Sequence, residues 1–267
     1  MSRIQSCFEK LNEKNQKALV AFITAGDPDL STTRKIFSII EKNGADIIEL
    51  GVPFSDPLAD GPVIQSASQR ALKNGTTLKK IIQLVVEIRQ DSKLPIVLMT
   101  SYNPVFVYGQ KQFVDDALHA GVDGVIIPDL PPDEAGEFDS YAKKQGLDMI
   151  HLLAPTSTED RIRLIADESR GFIYYISLTG TTGVKSKVSG NLKTKVQAIK
   201  KVAKLPVLVG FGISGPEQAK EAAAVSDGVI VGSAIVRLIE QNGNPADHEE
   251  KIGDFVASVK QAISNPG

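Results

Sequence analysis

Residues 206–233, PVLVGFGISGPEQAKEAAAVSDGVIVGS, contain two short apolar runs separated by a helical stretch. The runs PVLVGFG (206–212) and DGVIVGS (227–233) have no alternating polar positions, which is typical of strands buried on both faces. Between them, the spacing of Ser214 and Glu217 predicts a capping box at the start of a helix. The order strand, helix, strand predicts two parallel strands joined by a right-handed crossover.

The same pattern recurs along the chain, in six earlier apolar runs that are each followed by turn residues and a helical stretch. Eight such units predict a closed barrel, whereas an open doubly wound sheet usually stops at roughly five to seven strands. No linker-like segment divides the chain, so we expect one (β/α)8 TIM barrel, a single catalytic domain over residues 1–267. The six earlier runs are 19–25, 46–51, 95–101, 123–129, 149–155 and 172–178.

An additional helix is predicted over residues 1–13, before the first strand. Its apolar residues Ile4, Phe8 and Leu11 fall on one helical face. We expect this face to cover the bottom of the barrel, the end at which the strands begin.

Composition and charge exclude several classes of protein. The chain has 30 basic and 32 acidic residues, without the basic stripe typical of nucleic-acid-binding proteins. Cys7 is the only cysteine, which excludes an internal disulfide and a thiolate metal cluster. The charged N-terminus and the lack of a long apolar segment argue against a signal peptide or a membrane span. We therefore expect a cytoplasmic protein with neither a nucleic acid nor a membrane as its partner.

Glu49 is the first candidate catalytic residue, because TIM barrels place their active sites at the C-terminal ends of the strands. It lies near the end of the second apolar run and shares one strand face with Ile47 and Gly51. Burial of a carboxyl group without an adjacent cation raises its pKa, which suits proton transfer near neutral pH. The alternative is a structural glutamate that is paired with a partner or caps backbone amides.

Asp60 is the second candidate carboxylate, in the sequence Ala59-Asp60-Gly61-Pro62. The same sequence also fits an ordinary turn or a helix N-cap, with Pro62 near the first helical position. The residues alone leave both interpretations open.

A phosphate site is predicted after the last two strands. Glycines around 210–212 leave backbone N–H groups accessible, and Gly232-Ser233 opens another helix. Helix N-termini at this place bind phosphate in many TIM barrels, although two ordinary tight turns would look similar. Residues 179–190, rich in glycine, serine, threonine and lysine, predict a mobile loop that closes over a ligand.

Several expected catalytic groups are missing from the strand runs. No lysine lies in any of them, which argues against a Schiff-base aldolase. His151 is the only histidine in a strand run, and we expect it to be a packed core residue rather than a metal ligand. We therefore predict no metal site, and a substrate that supplies its own electron sink.

Residues 49–62, ELGVPFSDPLADGP, resemble the signature of the tryptophan synthase alpha family, and further segments match it in order and spacing. The resemblance implies a lyase that cleaves indole-3-glycerol phosphate to indole and glyceraldehyde 3-phosphate by a reverse aldol reaction. It also implies an αββα complex with a beta subunit that carries pyridoxal phosphate, and no cofactor in this chain. The further matching segments are 21–28, 103–104, 128–131, 182–183, 210–214 and 232–234.

The resemblance also implies roles for individual residues. Glu49 would exchange protons with indole C3 and the substrate's side-chain hydroxyl, and Asp60 would accept the indole N–H and stabilise positive charge there. The implied substrate-binding residues are Phe22, Ile126, Tyr174, Thr182, Gly183, Phe211, Gly212, Gly232 and Ser233. The residues implied to contact the beta subunit are Pro53, Asp56, Pro57, Asn103 and Pro104.

One position departs from the family pattern, and three other functions stay open. Ser101 stands where many members have a tyrosine, which leaves one aromatic residue of the pocket unaccounted for. The alternatives are another phosphate-binding biosynthetic barrel, a catalytically silent regulatory subunit, and a lyase that releases free indole without a partner.

Overall fold

The structure is a computed structural model that describes residues 2–56, 60–177, 185–210, 212–241 and 245–264, without the side chains of 185–191 and 245–249. Strands and helices alternate along the chain as the apolar runs predict. The strands are β1 (Ala18–Thr24), β2 (Ile47–Gly51), β3 (Ile96–Met99), β4 (Gly124–Ile126), β5 (Asp148–Met149), β6 (Leu152–Leu153), β7 (Ile173–Ile176), β8 (Val207–Gly210) and β9 (Gly228–Val231). The helices are α1 (Arg3–Glu13), α2 (Leu30–Lys42), α3 (Pro62–Lys73), α4 (Leu78–Ile88), α5 (Tyr102–Tyr108), α6 (Gln110–Ala120), α7 (Pro132–Gln145), α8 (Glu159–Glu168), α9 (Lys185–Val202), α10 (Pro216–Ala223), α11 (Ser233–Gln241) and α12 (Pro245–Ser264).

The parallel strands form a sheet in the order β5-β4-β3-β2-β1-β9-β8-β7-β6. Its two ends, β5 and β6, are consecutive pieces of the single apolar run 149–155. The Ile150 amide donates to the Val125 carbonyl at 3.0 Å, and the His151 carbonyl accepts from the Tyr174 amide at 3.3 Å. This one segment therefore bonds to both neighbouring strands and closes the barrel, which confirms the predicted fold class.

Helix α1 covers the bottom of the barrel, as predicted. Ile4, Phe8 and Leu11 are buried, and the Phe8 ring meets the Phe172 ring edge-on at a centroid distance of 6.1 Å. These side chains pack with the inward-facing residues at the start of the strands. The helix therefore seals the end of the barrel opposite to the expected active site.

Three aspartates at the start of strands bind the backbone of the neighbouring strand at this sealed end. Their carboxylates accept N–H groups at 2.7–2.9 Å, and each is also paired with a basic side chain. The bonded pairs are Asp46 with Leu19, Asp123 with Ile96 and Asp227 with Val207. Carboxylates at the bottom of the barrel are thus engaged in holding strands together.

The predicted capping box at Ser214 and Glu217 is wrong. Helix α10 begins at Pro216, its N-cap is Gly215, and no side chain caps it. Proline is favoured at the first helical position, which places Ser214 one residue too early to act as the cap. Ser214 instead donates from its amide and its hydroxyl to Gln218 Oε1, at 2.7 and 2.8 Å.

The predicted loop over residues 179–190 is wrong in its second half, because α9 begins at Lys185. Residues 178–184 lie outside the described part of the chain. Among the residues that the structure describes, no helix is long and apolar enough to cross a membrane.

Candidate active site

Glu49 lies inside the barrel on β2, between Phe22 of β1 and Val97 of β3 in the strand register. Its side chain is buried, and neither carboxylate oxygen has a hydrogen-bond partner among the described residues. Burial, and then the negative charge of Asp60, raise the pKa of Glu49 to about 8. The carboxyl group can therefore gain or lose a proton near neutral pH, and the alternative of a paired structural glutamate finds no partner in the described chain.

Tyr174 and Ile126 form part of the barrel interior around this carboxyl group. Burial raises the pKa of the Tyr174 phenol well above its usual value, and the charge of Glu49 raises it further. The Tyr174 ring lies so close to Gly210 that a Cβ atom there would be 2.6 Å from the phenol oxygen. A glycine at the end of β8 is therefore needed for the ring to occupy this position.

A cavity of about 560 Å³ lies at the C-terminal ends of the strands. Phe22 and Asp60, both predicted from the sequence, line it. Ser101 also lines it, at the position where the resemblance implied an aromatic residue, and Phe54 is a lining aromatic that sequence reasoning did not single out. The size of the cavity suits a small molecule.

Asp60 lines this cavity immediately before α3. The N-cap of α3 is Gly61, without a side-chain hydrogen bond, and Pro62 occupies the first helical position. Burial raises the pKa of the Asp60 carboxyl group. The carboxylate therefore does not cap the helix, and it stands on the cavity wall.

The expected phosphate end lies beside Phe22. Gly212, after β8, has a φ of +79°, a conformation that strongly favours glycine. Gly232 directly precedes Ser233, the first residue of α11. A Cβ atom added at Gly51 would lie 2.5 Å from the Phe22 ring, and one added at Gly232 would lie 3.3 Å from Phe22 Cβ. Phe22 therefore packs closely against both glycines.

Comparisons with known proteins agree with this geometry. The family model for the tryptophan synthase alpha chain matches residues 8–264. A tryptophan synthase alpha chain from Geotalea uraniireducens is 54% identical over 267 residues, which is the full length of both chains. The chain belongs to the tryptophan synthase alpha chain family.

Solved structures support the same family. Tryptophan synthase subunit alpha from Legionella pneumophila superposes with a TM-score of 0.90 at 38% identity, over 98% of each chain. A chain of tryptophan synthase from M. tuberculosis superposes with a TM-score of 0.88 at 32% identity, over 98% of this chain and 100% of that one. As a member of this family, the chain is a lyase that cleaves indole-3-glycerol phosphate to indole and glyceraldehyde 3-phosphate, and its partner is the beta subunit.

The residues expected to contact the beta subunit differ in exposure. Asp56 and Asn103 are exposed and Pro104 is half-buried, whereas Pro53 is buried and shapes the loop from within. Pro57 lies outside the described residues, as do the predicted substrate contacts Thr182, Gly183 and Phe211.

Two features of the chain were not predicted from its sequence. Thr24 lines the cavity with a buried hydroxyl group, and strand alternation from Phe22 is the signal that could have found it. Phe106 and Val107, on α5, are 62% and 76% exposed. Periodicity could not reveal these two, because an apolar residue on a short helix is predicted to be buried.

His151 is buried, as expected of a core residue. Its Nε2 lies 3.9 Å from Asp139 Oδ1, and burial lowers the pKa of the imidazole. In the described ranges, no three His, Cys, Asp or Glu side chains are grouped as a metal site would require.

Proposed function

We propose that Glu49 and Asp60 carry out the cleavage of indole-3-glycerol phosphate in this chain. The observation that supports this most is the buried carboxyl group of Glu49, which has no partner among the described residues. Burial, and then the charge of Asp60, raise its pKa to about 8. A protonated Glu49 gives its proton to indole C3, which makes the ring nitrogen an electron acceptor. The carboxylate then removes the proton of the substrate's side-chain hydroxyl, the C–O bond becomes a carbonyl, and the electrons of the broken C–C bond return to the ring.

Asp60 has the complementary role in this proposal. Its ionised carboxylate accepts the indole N–H and stabilises the positive charge that develops on the nitrogen. Its burial is less complete than that of Glu49, so the two carboxyl groups are held in different environments. Such a difference lets one group act as an acid while the other stays ionised.

The phosphate group is proposed to bind at Gly212, Gly232 and Ser233, with Phe211 beside them. The N-terminus of α11 begins at Ser233, and backbone N–H groups at a helix N-terminus favour anions. Gly183 is proposed as a further phosphate contact, and Phe22, Ile126, Tyr174 and Thr182 are proposed to line or close the pocket.

The remaining proposals concern organisation. Residues 1–267 are proposed to form one catalytic domain that needs no cofactor of its own, with the pyridoxal phosphate held by the beta subunit. A cytoplasmic location is proposed, in keeping with the biosynthetic role of the family.

Asp60→Asn tests the function. We expect the rate of indole release from indole-3-glycerol phosphate to fall by about a hundredfold, because the neutral amide cannot stabilise the positive charge. The melting temperature should change little, since Asp60 does not cap α3. Asp91→Asn, at an exposed carboxylate paired with Arg34, is the matched control and should keep full activity. A variant that loses thermal stability but keeps its turnover would make Asp60 a structural residue.

The surface for the beta subunit is proposed to include Asp56, Asn103 and the exposed Phe106 and Val107. Exposed apolar side chains beside polar ones are typical of a protein interface. The loop that carries Asp56 connects Glu49 to Asp60, so a partner that binds this loop is proposed to influence the position of both carboxylates. This is a shift between existing conformations rather than new chemistry.

Replacing both Phe106 and Val107 with serine should therefore weaken beta-subunit binding by at least tenfold, on the order of 1.4 kcal/mol. In wild type the beta subunit should raise indole release by about tenfold or more, and the double variant should need correspondingly more beta subunit to reach that rate. Titration with the beta subunit measures both effects. Val86→Ser, at a valine that is 40% exposed on α4, is the control. Equal binding by the control and the double variant would place the interface elsewhere.

A further inference from the structure

The hydroxyl group of Thr24 is buried without a hydrogen-bond partner among the described residues. The residue is 2% exposed, and its Oγ1 has no hydrogen bond to any part of the chain that the structure describes. Leaving a buried hydroxyl unpaired costs folding free energy, and most buried polar atoms in native proteins avoid that cost. An unpaired hydroxyl on the wall of an active-site cavity indicates that its partner is a ligand.

Thr24 lies closer to the C-terminal ends of the strands than Phe22, the residue that pairs with Glu49. It is the last residue of β1 and pairs in register with Gly51, while Phe22 pairs with Glu49. Because alternate residues share a strand face, Thr24 projects to the same side as Phe22, about 7 Å further towards the loops. Both Thr24 and Asp60 line the cavity, whereas Gly212, Gly232 and Ser233 are not among its lining residues. Thr24 therefore lies on the side of the cavity that holds Asp60 rather than at the proposed phosphate end.

Backbone groups beside Thr24 and one other hydroxyl of the cavity wall are already engaged. The Ala25 amide donates to the Gly51 carbonyl at 2.9 Å, and the Asp27 amide donates to the Thr24 carbonyl at 3.3 Å. The Thr100 hydroxyl, also in the cavity wall, donates to the Ser101 carbonyl at 3.1 Å. Because these neighbouring groups bond to one another, the Thr24 hydroxyl remains available to hydrogen-bond a ligand that enters the cavity.

A second buried threonine in the same region shows that this is not a general property of the loop. Thr33 accepts the Gly26 amide at 2.9 Å and donates to the Asp29 carbonyl at 2.8 Å. The loop after β1 thus satisfies the Thr33 hydroxyl, whereas the hydroxyl of Thr24, in the cavity wall, has no partner among the described residues.

We propose that Thr24 is a substrate-positioning residue that donates a hydrogen bond to the side-chain hydroxyl of indole-3-glycerol phosphate at the carbon attached to the indole ring. This bond orients the substrate so that its hydroxyl proton points towards Glu49. Thr24 follows by two residues Phe22, which pairs with Glu49 in the strand register. The inference rests on the proposed roles of Glu49 and Asp60, because it places the reacting carbon between them.

Thr24→Val and Thr24→Ser test the proposal. Valine keeps the β-branched shape but cannot donate, so we expect kcat/KM for indole-3-glycerol phosphate to fall about tenfold, mainly through kcat. The melting temperature should stay the same or rise, because an unpaired buried hydroxyl has been removed. Serine keeps the donor and should retain activity to within about threefold. Lower activity combined with equal or higher stability is not expected from a merely structural threonine.

Ser169→Ala is the matched control. Ser169 also has a buried hydroxyl without a partner in the described chain, but it follows α8 at the opposite end of the barrel. Its loss should leave kcat and KM unchanged. Inhibition by inorganic phosphate should be the same in Thr24→Val and wild type, since the hydroxyl does not face the phosphate end.

Two results would overturn the role of Thr24: a wild-type kcat in Thr24→Val, or a parallel loss of phosphate inhibition. Retained turnover in the Asp60→Asn variant would instead count against the proposed function. The two failures are therefore distinguishable.

Discussion

Glu49→Gln is expected to lower the rate of indole release by at least about a hundredfold, with the barrel still folded. The amide keeps the length and shape of the side chain but can neither deliver a proton to indole C3 nor remove one from the hydroxyl. The carboxyl group has no hydrogen bond among the described residues, so the substitution breaks no native contact there. Single-turnover measurement of indole release by the purified variant, with circular dichroism to check folding, gives the result.

Glu137→Gln is the matched control, because Glu137 is exposed on α7, outside the barrel. It should retain full turnover. Near-normal turnover in Glu49→Gln would remove Glu49 from the chemistry, whatever the behaviour of Asp60.

The second large effect is on stability. As pH rises from about 5 to about 8, the free energy of unfolding of wild type should fall relative to that of Glu49→Gln. The pKa of Glu49 is about 8 in the folded chain, against 4.5 for the unperturbed group. In that window the folded state keeps its proton while the unfolded state loses it, so a rise in pH favours unfolding. The contribution of Glu49 to the free energy of unfolding is complete below its pKa in the unfolded chain and is lost as pH rises past its pKa in the folded chain. A pKa shift of this size corresponds to several kcal/mol.

Urea unfolding of both proteins at a series of pH values measures this difference directly. Other titrating groups occur in both proteins and largely cancel in the comparison. Curves that stay parallel across the whole window would mean that Glu49 is ionised in the folded protein, which would contradict the proposed proton donor.

The carboxylates at the bottom of the barrel and two polar groups near its top differ in their hydrogen-bond partners. At the bottom, Asp46, Asp123 and Asp227 each bind a backbone amide and a basic side chain. At the top, Glu49 and Thr24 are buried without partners in the described chain. Unpaired groups lower stability but remain available to a substrate, which fits a reactive role for the two at the top; Ser169, at the bottom, is also buried without a partner in the described chain.

The strands and α1 could be predicted because their signals are local. Runs of aliphatic residues, and the spacing of Ile4, Phe8 and Leu11, depend only on neighbours in the sequence. Start and end points were less predictable: Pro216 displaced the start of α10 from the expected cap, and α9 begins at Lys185, within the expected loop. The first residue of a helix depends on several competing local preferences, and the spacing of residues in the sequence does not show which of them is stronger.

The barrel, the family and the inward position of Glu49 could be predicted from the sequence alone, because strand alternation and a specific motif are properties of adjacent residues. Three features became visible only once the chain was folded: Glu49 and the Thr24 hydroxyl have no partner among the described residues, and Asp60 stands on the cavity wall instead of capping α3. A pKa or an unmet hydrogen bond depends on which groups meet in space, and the groups around this cavity come from strands and loops far apart in the chain. Their meeting is set by closure of the barrel.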